Sequence, residues 1–214
     1  MKEMLKKIRD YNKNMKIKNK IINTFLIFLL GIVLGIFSKW LDNLGIDNTI
    51  WWHNILEILN LREIFSLFGI WLLIAITISV FSKTPLRASL NVFLFFVGMT
   101  ISYHLYTIYY CGFNPIKYMM IWYGITLISP ILAGICWYAK GKSKVSMIIC
   151  SLILGIMVKS SFIMGMWYFG LKSIIDLIIF IGTILVLYET PKNTIYSLIA
   201  AFVLAFIFNV CIMI

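Results

Sequence analysis

Two ionisable side chains, Lys159 and Asp176, fall inside apolar runs that are otherwise nearly free of charge. An ionisable group in hydrocarbon costs at least about 2.5–3.5 kcal/mol, so each needs a partner, a ligand or a route to water. Lys159 stands roughly nine residues before the end of one run and Asp176 roughly five residues into the next, depths of about 13 and 7 Å at helical rise. A lysine stem covers much of that difference, so the two are expected to pair, with Ser160, Ser161 and the aromatic stretch Trp167, Tyr168 and Phe169 beside them. A cation, an anion, hydroxyls and aromatic faces together suit a polar substrate or an ion. The same pair serves equally as a packing device, and the lysine alone can snorkel outward. A second candidate is Pro130. It cannot donate to the carbonyl of Thr126, which leaves a polar notch beside Ser129 and makes Thr126 and Ser129 candidate substrate contacts. Proline more commonly just kinks a membrane helix. Asn91 and Asn209 are further polar side chains in apolar runs, expected to bond between helices.

Catalytic material is scarcer. His104 and Cys111 lie on nearly the same helical face, but the rise separates them by about 10 Å where a thiol–imidazole pair needs about 3 Å. The chain would have to fold back near Gly112. There is no H-E-x-x-H, G-x-S-x-G or phosphate-binding loop, and the four cysteines (Cys111, Cys136, Cys150, Cys211) lack zinc spacing. No metal, cofactor or catalytic residue is therefore expected.

The elements that must position these residues are membrane helices. Of 214 residues 62% are hydrophobic and 13% charged, against about 45–50% and about 25% in a soluble domain. The fold class expected is all-α, a polytopic transmembrane helix bundle. Seven spans are predicted at about 21–41, 64–82, 88–109, 117–139, 145–168, 171–189 and 195–214, or six if the last run, which has no flanking anchor, does not cross. Residues 47–63 place His53, Asn54, Glu57 and Asn60 on one helical side and Trp51, Trp52, Ile55, Leu56, Ile58 and Leu59 on the other, which predicts an outer interfacial helix capped by Asp47. Gly31-x-x-x-Gly35 predicts close helix packing.

The net charge of +11 is an orientation signal. Residues 1–20 carry eight cations (Lys2, Lys6, Lys7, Arg9, Lys13, Lys16, Lys18, Lys20) against Glu3 and Asp10, forming a basic tail that reads as an amphipathic surface helix or an unstructured arm. The loops holding Lys83 and Arg87, then Lys140, Lys142 and Lys144, then Lys192 fall on the same side as that tail if the spans alternate. The N-terminus is accordingly expected in the cytoplasm of a bacterial cell, and 21–214 as one transmembrane domain. The partners expected are the bilayer itself, anionic lipid at the tail and another membrane subunit. Nucleic acid is not expected, since no recognition module accompanies the charge.

Two blocks, TPLRASLNVFLFFVGMTISYHLY and SPILAGICWYAKGK, resemble an uncharacterised family of bacterial polytopic membrane proteins. That resemblance implies class and topology and transfers no activity. The His104 to Cys111 spacing is similar to that of the accessory-regulator membrane endopeptidases, over those two residues only, and length and bundle are similar to substrate-binding subunits of vitamin importers at fold level. The functional expectation is a small-solute transporter or solute-binding membrane subunit. A non-catalytic accessory or immunity-type membrane protein is the alternative, and an intramembrane Cys/His endopeptidase stands third.

Overall fold

The computed structural model describes residues 8–10, 16–45, 51, 53, 61–165 and 167–213, with the side chains of 61–62 and 210–213 left aside. The chain is all-α, about 83% helical. In order come α1 (Ile17–Asn43), α2 (Leu61–Ser66), α3 (Phe68–Phe81), α4 (Pro85–Cys111), α5 (Ile116–Trp137) with a 3-10 turn at Tyr138–Lys140, α6 (Lys144–Ser161), strands β1 (Phe162–Met164) and β2 (Phe169–Leu171), α7 (Ile174–Leu187) and α8 (Pro191–Met213). Five of the helices described, α1, α4, α5, α6 and α8, are long and apolar enough to cross a membrane, whereas α3 and α7 are shorter apolar helices. Their outward faces are apolar, as at Leu127 (72% exposed) and Ile131 (67%), the pattern of a surface solvated by lipid.

Three expected boundaries change. The first helix begins at Ile17, taking Lys18 and Lys20 into its opening turns. The run expected as one span over 64–82 is two helices, because Leu67 ends α2, its N–H bonding back to Glu63 and Ile64 carbonyls at 3.1 and 3.3 Å. The span expected over 145–168 stops at Ser161, where Phe162 turns to extended backbone (φ −118°, ψ 145°) and opens an antiparallel hairpin. Phe162 faces Leu171 across the hairpin and Met164 faces Phe169, so two short segments too apolar for a water-exposed loop satisfy their backbone groups against each other. Most of the expected interfacial helix 47–63 and of the basic tail lies outside the described residues.

The chain divides into two compact units. Unit 1 is Met1–Lys13, Phe68–Ala88 and Ala133–Ile214, and unit 2 is Asn14–Leu67 and Ser89–Leu132. Within unit 2, α1 and α4 meet backbone to backbone. A Cβ at Gly31 or Gly35 would overlap the Phe95 or Met99 carbonyl, and one at Gly98 would come within 2.6 Å of the Phe28 carbonyl. The Gly-x-x-x-Gly pair is thus a packing surface, and Thr24 Oγ1 donating to Asn91 Oδ1 at 2.9 Å ties the same two helices. Within unit 1, α8 lies along α6, with Gly155 opposite the Ala201 carbonyl, and α3 packs on α7 through Gly69 against Ile179 and Leu73 against Gly182. Val80, Leu154, Met157, Val158 and Ala201 are wholly buried there.

Candidate functional site

Lys159 and Asp176, expected to pair, are held apart by different partners. Asp176 is the third residue of α7, and Ser173 is that helix's N-cap. The Ser173 hydroxyl accepts from the Asp176 N–H at 3.1 Å and donates to its Oδ2 at 3.0 Å. A carboxylate in the first turn also faces the positive end of the helix dipole, so Asp176 is accounted for as a capping group despite being only 6% exposed. Its carbonyl accepts from the Ser161 hydroxyl at 3.0 Å, fastening α7 to the end of α6. Lys159 is exposed and lays its ammonium 3.9 Å from the centre of the Phe208 ring. Its carbonyl takes a hydrogen bond from Lys172 Nζ at 3.0 Å. Ser160 turns back to its own helix at the Met157 carbonyl, 2.8 Å away. A double-mutant cycle checks this separation: Asp176→Ala should lower stability by about 1 kcal/mol through the lost hydrogen bond from the Ser173 hydroxyl and the lost charge at the helix N-terminus, while coupling to Lys159→Met stays below about 0.5 kcal/mol. Coupling well above 1 kcal/mol by thermal unfolding in detergent would restore the ion pair.

The proline notch in unit 2 is closed by its own neighbours. Ser129 Oγ donates to the Thr126 carbonyl at 2.8 Å, replacing the donor that Pro130 lacks, and Thr126 Oγ1 bonds back to Trp122 at 2.8 Å. The Pro130 carbonyl accepts from Ser89 at 2.6 Å. Both candidate hydroxyls are therefore spent on backbone.

His104 and Cys111 are likewise committed elsewhere. His104 Nδ1 lies 2.5 Å from the Tyr123 hydroxyl and Nε2 2.8 Å from Asn114 Oδ1, while Cys111 Sγ accepts from Asn43 Nδ2 at 2.7 Å. The thiol–imidazole contact of an endopeptidase is not formed. Around them the ends of α1, α4 and α5 are cross-linked by a polar network. Lys39, 9% exposed, stands 3.8 Å from Asp42, whose Oδ2 accepts from Tyr103 at 3.0 Å, and Lys39 also lies 5.5 Å from the Tyr103 ring centre. The signal was present in the sequence: Lys39 is a cation within the first apolar run, three residues before an aspartate.

Unit 1 also holds an aromatic cleft. The hairpin and α8 enclose an open cleft of about 490 Å³ walled by Met164, Gly165, Trp167, Tyr168, Phe169, Phe202 and Phe206. No family model, curated protein or solved structure matches this chain. The cleft must therefore be judged on its chemistry. Its walls are positioned by stacking: Phe162 and Phe169 lie nearly parallel at 5.2 Å, and Phe202 meets both at 5.8 and 6.3 Å. The Gly165 N–H donates to the Tyr168 carbonyl at 2.8 Å, closing the hairpin turn. Asn209 donates to the Met164 carbonyl, tying the far end of α8 to β1. Of the residues expected at a binding site, Trp167 and Tyr168 line this cleft, Lys159 sits beside α8, Asp176 faces the Ser173 hydroxyl and Ser160 its own helix backbone. Trp167 is 92% exposed. Among the described residues no group of histidine, cysteine and carboxylate side chains is placed to hold a metal.

Proposed function

We propose that this chain is a solute-binding subunit of the bacterial cell membrane and that the aromatic cleft of unit 1 is its binding site. The cleft itself carries the reading. Its volume, about 490 Å³, lies in the range of small-molecule sites, which are concave, mostly apolar and lined by aromatic side chains. An apolar or flat aromatic solute with one polar end fits those walls, its polar end reaching the exposed ammonium of Lys159 or Lys172.

The seven-span, N-terminus-in arrangement belongs to the same proposal, and unit 1 supports it. The ends of α3, α5 and α7 converge: Arg9 bonds the Val80 and Trp137 carbonyls, and Lys140 Nζ reaches the Val186 carbonyl at 3.2 Å while lying 4.7 Å from the Phe81 ring. Alternating spans put exactly those three helix ends on the side of the basic tail, and the hairpin cleft on the other. Contact of the tail with anionic lipid, and assembly with a second membrane subunit, are expected on that topology.

The test is a thermal-shift screen of the detergent-purified chain against planar aromatic and single-tailed amphiphilic solutes, with Trp167→Ala and Phe206→Ala alongside. At least one solute should raise the wild-type midpoint by several degrees and lose most of that effect in both variants, whose unliganded midpoints stay near wild type. A panel with no stabiliser, or one acting equally on the variants, would sink the proposal. A second reading, a non-catalytic accessory protein, is favoured by one observation: Ser129 and Thr126 spend their hydroxyls on nearby backbone and Asp176 accepts from the hydroxyl of its own helix cap, Ser173, so each of the three is committed locally.

A further inference from the structure

Arg9 is the sole arginine among the eight cations of residues 1–20, and it is docked on unit 1. Its Nη1 donates to the Trp137 carbonyl at 2.6 Å and its Nη2 to the Val80 carbonyl at 2.9 Å, while Cζ lies 4.2 Å from the centre of the Trp137 ring. Trp137 is the last residue of α5 and Val80 the penultimate residue of α3, so both carbonyls belong to helix C-terminal ends, which carry partial negative charge. A guanidinium suits this place where an ammonium does not. Its planar fork satisfies two diverging acceptors and stacks on the indole in one pose.

The receiving surface is prepared for it. The indole is 1% exposed and is fixed by Nε1 donating to the Ser82 carbonyl at 2.7 Å. Gly141 leaves room for the tail backbone, since a Cβ there would overlap the Ile8 carbonyl. Glu189, just beyond α7, buries one carboxylate oxygen that has no hydrogen-bond partner among the described residues, and its charge acts on Arg9. Burial lowers the Arg9 pKa from its ordinary value and the Glu189 charge opposes that shift, so the group remains a cation at any physiological pH.

We infer that the converging ends of α3 and α5, the face of Trp137, Gly141 and Glu189 form a guanidinium socket, and that its occupant is this chain's own N-terminal segment, inserted through Arg9. The basic tail is thereby an internal ligand as well as an orientation signal, and the inference stands independently of the solute proposal.

Two experiments on the full chain in detergent test it. An arginine-specific protease should cleave the Arg9–Asp10 bond at least about tenfold faster in Gly141→Val, where the tail backbone is expelled with Arg9 intact, than in wild type; cleavage after Arg62 and Arg87, separable by mass, is the internal reference. In Arg9→Ala, methylguanidinium at millimolar concentration should recover most of the lost melting temperature, and methylammonium at equal concentration should not. Equal cleavage rates in wild type and Gly141→Val, or equal action of the two cations, would overturn the socket. Failure of Arg9→Ala to yield folded protein leaves the protease comparison decisive.

Discussion

Gly31→Leu should cost the protein its α1–α4 contact and, with it, most of its thermal stability. The Gly31 position faces the Phe95 carbonyl so closely that even a methyl group overlaps it, and Gly35 faces Met99 and Ser102 in the same way. The Phe95 and Met99 carbonyls cannot swing aside, because they are helix backbone; of the obstructing atoms only the Ser102 hydroxyl can turn. Relief requires translating one helix away from the other, which would also stretch the Thr24 to Asn91 hydrogen bond and the Ser102 hydroxyl's 3.1 Å bond to the Ile32 carbonyl. In a bilayer, packing and such hydrogen bonds are the main cohesion between helices, since lipid tails are as apolar as leucine. The expected loss is about 3 kcal/mol, the upper end of ordinary overpacking, read as a fall of the melting midpoint in detergent. Gly124→Leu is the control. Nothing lies within 4 Å of a Cβ at Gly124, so that variant should melt near wild type. Equal losses in the two variants would mean that the close approach is not what holds α1 on α4.

Trp137→Ala is the second large effect. This side chain is among the largest fully buried ones, it donates to Ser82, and it stacks under Arg9. Truncating a buried aromatic typically costs about 3–5 kcal/mol, and here the platform under the arginine goes too. Trp137→Phe separates the contributions. It keeps an aromatic face for the guanidinium but loses the indole N–H and part of the buried ring volume, so it should cost about 1–3 kcal/mol. The check is the order of melting midpoints: wild type highest, Trp137→Phe between, Trp137→Ala lowest. A phenylalanine variant as unstable as the alanine one would place the stability in the hydrogen bond rather than the packed ring.

Helical class and the long apolar helices were legible because they follow from composition and run length, quantities that tertiary contacts do not reverse. The Gly31 and Gly35 pair was legible for a related reason: bare backbone at that spacing has few uses besides close packing. The failures concern side-chain partners. Lys159 and Asp176 looked complementary in depth and charge, yet Ser173, three residues from Asp176, offered a local bond that costs no loop closure. Ser129 closed the notch at Pro130 by the same rule, with a nearer acceptor outcompeting a distant one. The hairpin at 162–171 was hidden because its residues are as apolar as the helix before it, and only the pairing of the two strands distinguishes them. Arg9 was counted with seven lysines as diffuse charge, although its fork geometry already set it apart. The socket it fills joins residues 9, 80 and 137, a conjunction that no local pattern encodes.

The shortness of α3 and α7 bears on the membrane itself. Each has 14 residues, about 21 Å of helix, and they pack on each other. On α7 an outward strip of Ile174, Ile178, Ile181 and Leu185 is left to meet acyl chains. If α7 spans, that strip falls well short of the roughly 30 Å thickness of an average hydrocarbon core. The leaflets beside it must draw together, or the flanking Lys172 and Tyr188 must reach outward to meet the headgroups. Such a chain carries its own preference for bilayer thickness, and acyl-chain length becomes a variable that should tune its stability.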